Sequence, residues 1–191
     1  MALPQEKIAR YTYADALAWE ESDRIELVDG EAFMMAPPST AHQAACMALS
    51  AQLYNYLVGK RCQVFPAPFG VRLFEEDGDF PEDVDTLVEP DISVVCDRSK
   101  LDDRGCKGAP DLVIEVLSPA TQRHDRLTKF DLYQRSGVQE YWIVDLDARV
   151  VLVHTLEEGR YHSPLVYPAH SSVPVGVLEE CTVDLGLVFA K

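Results

Sequence analysis

Short apolar runs with a two-residue period alternate along the chain with longer segments of helical period, and this pattern predicts an α/β or α+β fold. Two segments have the helical period, AHQAACMALSAQLYNYLV at 41–58 and HDRLTKFDLYQRSG at 124–137. The strand-like runs are bounded by Gly, Pro and Asp, which favour turns. We therefore expect a mixed central sheet flanked by helices, formed by residues 1–191 as one domain.

The ends of the predicted elements carry local signals of their own. Asp29-Gly30, between the apolar runs IELV and EAFMMA, predicts a β-hairpin near the N-terminus. Ser39 or Thr40 is the expected N-cap of the first long helix, and Gly137 is the expected end of the second. The predicted order is therefore hairpin, helix, strands, helix and strands.

Seven further apolar runs are predicted to be strands. In chain order they are CQVFPAPF, GVRLFEE, DISVVCD, DLVIEVLS, EYWIVDLD, RVVLVHTL and YHSPLVY. The fifth and sixth alternate as a β-pair, which the seventh extends. Residues 98–108 are predicted to be a polar connection. Residues 75–91 contain nine acids and no Lys or Arg, so we expect a largely solvated loop there.

Charge and composition narrow the functional classes. The net charge of −15 argues against loose attraction to nucleic acid or to anionic membranes. There is neither a signal-peptide pattern nor an apolar run near the roughly 20 residues of a membrane helix, so we expect a cytoplasmic protein without membrane contact. The five cysteines include no CxxC pair and are expected to be reduced, buried apolar side chains, at positions 46, 62, 96, 106 and 181.

A carboxylate lies in the middle of one of the most apolar predicted strands. Burying Glu115 between Ile114 and Val116 is costly unless a partner compensates its charge. Asp91 begins a neighbouring predicted strand, and if the two strands pair, the two carboxylates approach each other near a strand end. Carboxylates at close range repel each other, and a hard divalent cation relieves the repulsion. The arrangement predicts a metal site for Mg²⁺ or Mn²⁺ rather than zinc, with Asp91 and Glu115 as ligands.

The helix that follows this strand adds an amine. On a helical wheel, Lys129 lies about 60° from Leu132 and about 40° from Tyr133, two residues expected to face the sheet. The Lys129 amine can therefore share a pocket with Glu115. Two carboxylates and a lysine suit metal-assisted hydrolysis of a phosphodiester. An ordinary helix ion pair with Asp125, four residues earlier, is the alternative role for this lysine.

The stretch GAPDLVIEVLSPATQRHDRLTKFDLYQRSGVQEYWIVD, with IELVDGE and VEPDISVVCD, resembles the Uma2 family, also called DUF820, of the PD-(D/E)xK nuclease superfamily. The resemblance covers roughly residues 10–155. It implies a restriction-endonuclease-like fold and a metal-dependent endonuclease acting on DNA, with Asp91, Glu115 and Lys129 as catalytic residues. Leu117 stands where the superfamily usually has its lysine, and Lys129 matches the family's lysine in the KFxLY stretch.

The resemblance also implies supporting residues. A further acid often comes from an N-terminal element of the superfamily, and Glu31 is the first candidate here, with Glu26 second. His42, in the first long helix, borders the cleft or is a hydrogen-bonded core histidine. Asp111 is either functional, or it caps its strand or pairs with Arg123. Three residues of the second helical segment are candidates for phosphate contacts: Arg123, His124 and Arg126.

An alternative class is a catalytically inactive binding or assembly module that keeps the fold. The acidic charge and Leu117 at the usual lysine position both favour this alternative. Enzymes of the superfamily often act as dimers, so the resemblance predicts a homodimer, with the apolar flank of VVLVHTL as its contact surface.

Overall fold

Helices and strands alternate through the residues that the computed structural model describes, which are 10–19, 24–117 and 128–190. The helices are α1 (Tyr13–Ala16), α2 (Thr40–Leu57), α3 (Phe130–Ser136) and α4 (Leu185–Val188). The strands are β1 (Ile25–Val28), β2 (Glu31–Met34), β3 (Gln63–Pro66), β4 (Val71–Arg72), β5 (Leu87–Val88), β6 (Ile92–Val95), β7 (Leu101–Asp102), β8 (Gly105–Lys107), β9 (Leu112–Val116), β10 (Glu140–Asp145), β11 (Val150–Glu157), β12 (Arg160–Tyr161), β13 (Leu165–Pro168), β14 (Ser172–Pro174) and β15 (Thr182–Asp184).

The larger sheet is mixed, as the sequence predicts. Its strand order is β12-β11-β10-β9-β6-β3, and β13 also pairs with β11. Strands β9 and β10 are parallel, whereas the other pairs in this sheet are antiparallel. Because parallel neighbours need a crossover, the chain leaves β9 and returns to β10 through a segment that includes α3. This crossover brings α3 close to the end of β9.

A second sheet contains the predicted N-terminal hairpin. Its strand order is β2-β1-β5-β4-β8-β7 within the described residues. Asp29 and Gly30 join β1 to β2, and both have positive φ angles, of 49° and 79°. Two successive positive φ angles are the requirement of a tight I′ hairpin turn, which explains why the Asp-Gly pair is a strong signal.

The hydrophobic core lies on both faces of the larger sheet. Leu49 and Leu53 of α2 pack with Ile114 of β9 on one face. On the other face, Tyr133 of α3 packs with Val113 and with apolar residues of the second sheet. The alternation along β9 thus buries both of its faces, which is why its sequence is apolar almost throughout.

The segment 98–108 differs from its prediction as a polar connection. It forms a short 3-10 helix, Arg98–Lys100, and then β7 and β8. Gly105 makes this path possible, because a Cβ atom there would lie 2.0 Å from the carbonyl oxygen of Gly70. Polar composition indicated a loop, but this close backbone approach and the pairing of β8 with β4 produce strands instead.

The prediction that all the cysteines are reduced is wrong for two of them. Cys62 and Cys96 form a disulfide. In the antiparallel β3–β6 pair Gln63 lies opposite Val95, and the next position outward places the two cysteines opposite each other. The remaining cysteines are free and buried, as predicted: Cys46, Cys106 and Cys181.

The edge of β11, part of the segment expected to contact a partner subunit, pairs within the chain. Strand β13 pairs with the first half of β11, Val150 to Val153, and β12 pairs with Leu156 and Glu157 at its end. The chain's own strands therefore occupy this edge of β11. Among the described helices, none combines the length and hydropathy that crossing a membrane requires.

Candidate active site

Asp91 and Glu115 lie at the same end of the larger sheet. In the antiparallel pair of β6 and β9, Ile92 lies opposite Ile114. Continuing this register by one position places Asp91 across from Glu115. The Asp91 carboxylate is directed to α2, and the Glu115 carboxylate is directed to α3.

Lys129 lies beside Glu115 at the start of α3. Its side chain is only 4% exposed. The amine nitrogen, Nζ, lies 2.9 Å from Oε1 of Glu115 and 3.0 Å from Oε1 of Glu26. The amine therefore points into the protein, as the helical wheel predicts, and it joins β1, β9 and α3. Asp125, its alternative partner, lies outside the described residues.

Glu26, the second choice for the N-terminal acid, takes the place suggested for Glu31. Glu26 is buried, and its Oε1 also accepts a hydrogen bond of 3.0 Å from the backbone N–H of Glu89. Glu31 is exposed and lies opposite Val28, next to the hairpin turn. Both acids are on one face of the hairpin, and Glu26 lies two cross-strand pairs further from the turn. Glu26 is therefore the acid that is buried next to Lys129, and Glu31 is not.

Tyr133 is a member of this cluster that the sequence analysis did not select. Its hydroxyl donates a hydrogen bond of 2.7 Å to Oε1 of Glu115. Burial, followed by the charges of Glu115 and Glu26, raises the pKa of the Tyr133 hydroxyl well above its usual value. Tyr133 therefore stays a neutral donor. Its position four residues after Lys129, on the same helix face, was the available signal.

His42 contacts Asp91 from the other side. Its Nε2 lies 3.1 Å from Oδ2 of Asp91, which also accepts a hydrogen bond of 2.8 Å from the backbone N–H of Val116. Ser39, the N-cap of α2, accepts a hydrogen bond from the backbone N–H of His42 and so fixes the start of the helix. His42 is buried and lies beside Asp91. Its surroundings fit both a residue that borders the cleft and a hydrogen-bonded core histidine.

Cys46 is the second residue that the sequence analysis missed. Its Sγ lies 3.6 Å from Nδ1 of His42, one helical turn earlier. Burial, and then the charges of Asp91 and Glu115, raise the pKa of the Cys46 thiol far above its usual value. Potential ligand atoms of His42, Cys46 and Asp91 lie within 4.8 Å of one another.

The donor set fits a divalent cation. Carboxylate oxygens of Asp91 and Glu115 are the ligands that Mg²⁺ and Mn²⁺ prefer. His42, Cys46 and Asp91 also offer imidazole, thiol and carboxylate atoms within 4.8 Å of one another, and imidazole and thiolate ligands suit zinc better.

The remaining nominated residues lie elsewhere. Asp111 accepts a hydrogen bond of 2.7 Å from the backbone N–H of Cys96. It precedes the first residue of β9, whereas Glu115 is near the last, so Asp111 is at the opposite end of this strand. This contact matches the capping role considered for it. Three nominated phosphate contacts fall outside the described residues: Arg123, His124 and Arg126.

A mixed sheet with helices on its faces, and with acids and a lysine gathered at one strand end, defines the restriction-endonuclease-like class of folds. A family model for Uma2, described as "Putative restriction endonuclease", matches residues 13–186. The chain belongs to the Uma2 family.

Two known proteins are similar to this chain. The chain is 28% identical over 160 residues to "Uncharacterized protein slr1290" of Synechocystis sp., covering 82% of this chain and 80% of that protein. It also superposes on the crystal structure of "a putative nuclease belonging to DUF820" from Anabaena variabilis ATCC 29413, with a TM-score of 0.74 and 20% identity. That match covers 94% of this chain and 98% of the other, so the two share the whole fold.

Proposed function

We propose that this protein is a Mg²⁺- or Mn²⁺-dependent endonuclease that hydrolyses phosphodiester bonds in DNA. The observation that carries the proposal is the buried Lys129 amine, held between Glu26 and Glu115 at the strand end where Asp91 lies opposite Glu115. The family description as a restriction endonuclease supports the same reaction class and supplies the choice of substrate.

Each residue has a defined task in this proposal. Asp91 and Glu115 would hold the cation through their carboxylate oxygens. When bound, a divalent cation polarises the phosphate and lowers the pKa of a water molecule. Lys129 orients the attacking water or stabilises negative charge that develops on the phosphate, as a preorganised cation does.

The neighbouring residues keep these groups in position. Glu26 holds the Lys129 amine from the side of β1, and Tyr133 holds Glu115 through its hydroxyl. His42 and the backbone N–H of Val116 both contact Oδ2 of Asp91. Because these contacts restrict each side chain before a substrate arrives, little rearrangement is needed during the reaction.

The charge distribution favours a small footprint on DNA. The net charge of −15 opposes a broad phosphate-binding surface. Residues 98–135, which include Glu115 and Lys129, are less acidic, with eight of the seventeen Lys and Arg residues and six acids. A cation between the carboxylates would further reduce the repulsion at the point where a phosphate enters.

Plasmid cleavage tests the proposal. We expect the wild-type protein to nick or linearise supercoiled DNA with Mg²⁺ or Mn²⁺, and to be inactive in EDTA. Asp91→Ala, Glu115→Gln and Lys129→Gln should each lower the rate by about 100-fold or more. Glu31→Gln, which changes an exposed acid of the same hairpin as Glu26, is the matched control and should retain activity. Wild-type cleavage that survives all three site substitutions would refute the assignment.

Metal binding can be measured without cleavage. Millimolar Mn²⁺ should raise the melting temperature of the wild-type protein, because a ligand that binds only the folded state stabilises it. Glu115→Gln should abolish this rise, and Glu31→Gln should preserve it. Absence of any rise in the wild-type protein would argue against the proposed metal ligands.

A non-catalytic binding or assembly module is the second candidate. The ion pairs of Lys129 with Glu26 and Glu115 connect three elements, so they can also serve as a structural link. If this function is correct, cleavage and the Mn²⁺-dependent rise are both absent, while Lys129→Gln still lowers stability.

The proposed assembly is a homodimer, in which two sites could act on the two strands of a duplex. Light scattering coupled to size-exclusion chromatography should then give twice the chain mass of 21.3 kDa. A mass of one chain at assay concentration would contradict the dimer and leave the nuclease proposal intact.

A further inference from the structure

A cavity of about 200 Å³ opens beside Asp91, between α2 and the turn that follows β3. Its lining includes Gln43, Cys46, Met47, Ser50, Pro66 and Asp91. The cavity therefore touches the proposed metal site through Asp91. The proposed reaction assigns no role to the other residues that line the cavity.

One stripe of α2 forms most of this wall. Gln43, Cys46, Met47 and Ser50 have the spacing i, i+3, i+4 and i+7, which places them on one helix face. Met47 is 69% exposed although its neighbours in α2 along the core face are buried. An exposed thioether at the wall of a cavity that adjoins Asp91 indicates a surface that is completed by a ligand.

The chemistry of the wall suits a flat, uncharged ring. The volume is below the roughly 300–1,000 Å³ of pockets that hold drug-sized ligands, so the occupant is a single small group. Asp91 disfavours a second phosphate here. Met47 and Pro66 provide apolar surface, and a thioether makes favourable contacts with aromatic rings. The Gln43 amide can donate one hydrogen bond and accept another, and glutamine side chains in general recognise the edge of adenine in this way.

We propose that this cavity binds the base of the nucleotide adjoining the scissile phosphate, with adenine preferred. The inference rests on the proposed nuclease function for its location, because a phosphate held at Asp91 leaves its attached nucleoside next to the cavity. Met47 and Pro66 contact the faces of the base, and Gln43 contacts its edge. The sequence preference of the enzyme then depends on α2.

Methyl NMR on the full chain tests the subsite independently of cleavage. The chain has four methionines, and Met47→Leu assigns the Met47 methyl signal. Titration with deoxyadenosine should shift that signal, whereas deoxyribose should not. Gln43→Leu should weaken the binding of deoxyadenosine by about tenfold, the size of a lost bidentate base contact. Asn55→Leu changes an exposed amide of the same helix outside the cavity and should leave binding unchanged.

A Met47 signal that stays still up to the solubility limit of the nucleoside overturns the subsite, and so does an equal shift in Gln43→Leu. If the protein cleaves random DNA, sequencing the ends of the products should show adenine enriched next to the cleaved phosphate. The subsite and the nuclease function can then be judged separately. Cleavage without a Met47 shift supports the nuclease and removes the subsite. A Met47 shift without cleavage by the wild-type protein keeps the base-binding cavity and removes the nuclease.

Discussion

The Lys129 amine is held by two carboxylates in a region from which water is almost excluded. Each of these charges would cost several kcal/mol if it were buried alone, so the three depend on one another. Glu26, Glu115 and Lys129 together carry one net negative charge. Asp91 adds to it from the neighbouring strand, which is a physical reason for a cation at this position.

Glu26 provides a test of this dependence. We expect Glu26→Gln to lower the free energy of unfolding by about 3 kcal/mol, because it leaves the buried amine with one fewer charged partner. Glu31→Gln should change it by less than about 0.5 kcal/mol, as is usual for an exposed side chain. Urea unfolding measures both. Similar values for the two variants would mean that Glu26 contributes nothing specific to the cluster.

His154 predicts a pH dependence of stability. It is buried against Phe130, and its Nδ1 lies 3.3 Å from the carbonyl oxygen of His162, to which it can donate. Burial lowers the pKa of His154 below its usual 6.5. The unfolded chain therefore takes up this proton first as the pH falls, and the folded state loses stability below about pH 6.5.

Melting temperatures between about pH 8 and pH 5 check this direction. His154→Phe removes the titrating group and should reduce the loss of stability at acidic pH. His170→Asn, at an exposed histidine, is the control and should keep the wild-type profile. Equal profiles for all three proteins would show that His154 makes no such contribution.

At the scale of elements, signals that act over a few residues were sufficient for much of the fold. Asp29-Gly30 predicted the hairpin, and Gly137 ends α3 with a φ angle of 88°. The periodicity also predicted that Lys129 faces the sheet. Contacts between distant segments were not predictable in this way. The approach of Gly105 to Gly70 and the disulfide both depend on strand pairing across the chain.

The choice between Glu26 and Glu31 shows a signal that was present in the sequence. Glu26 lies within IELV, between Ile25 and Leu27, just as Glu115 lies within VIEV. The cost of burying a carboxylate in an apolar strand nominated Glu115, and the same reasoning applied to β1 would have nominated Glu26.

The disulfide links strand β3, at the edge of the larger sheet, to β6, the strand that follows Asp91. Its cysteines are 34 residues apart in sequence. A loop of this length predicts a stabilisation of about 3–4 kcal/mol through the unfolded state. Urea unfolding with and without a reductant should show this loss in the wild-type protein. The double variant Cys62→Ala and Cys96→Ala should be insensitive to the reductant, and a wild-type protein that is also insensitive would contradict the link.

The acidity of the whole molecule predicts how DNA cleavage depends on salt. Proteins that make six to ten phosphate contacts lose about 10³–10⁵ in affinity between 50 and 200 mM salt. A net charge of −15 opposes so large a set of phosphate contacts on one duplex. We expect the cleavage rate at subsaturating DNA to fall by only about tenfold over this range, as for roughly two contacts. A thousandfold decrease would reveal an extensive cationic surface.

Lys129 reaches Glu115 from fourteen positions downstream. This separation frees Leu117 to join the core instead of carrying an amine. A database query that demands glutamate, any residue and lysine in succession would consequently overlook chains built on this plan. A query that allows the amine to arrive from the crossover helix, and that asks for an apolar residue two places after the glutamate, would retrieve them.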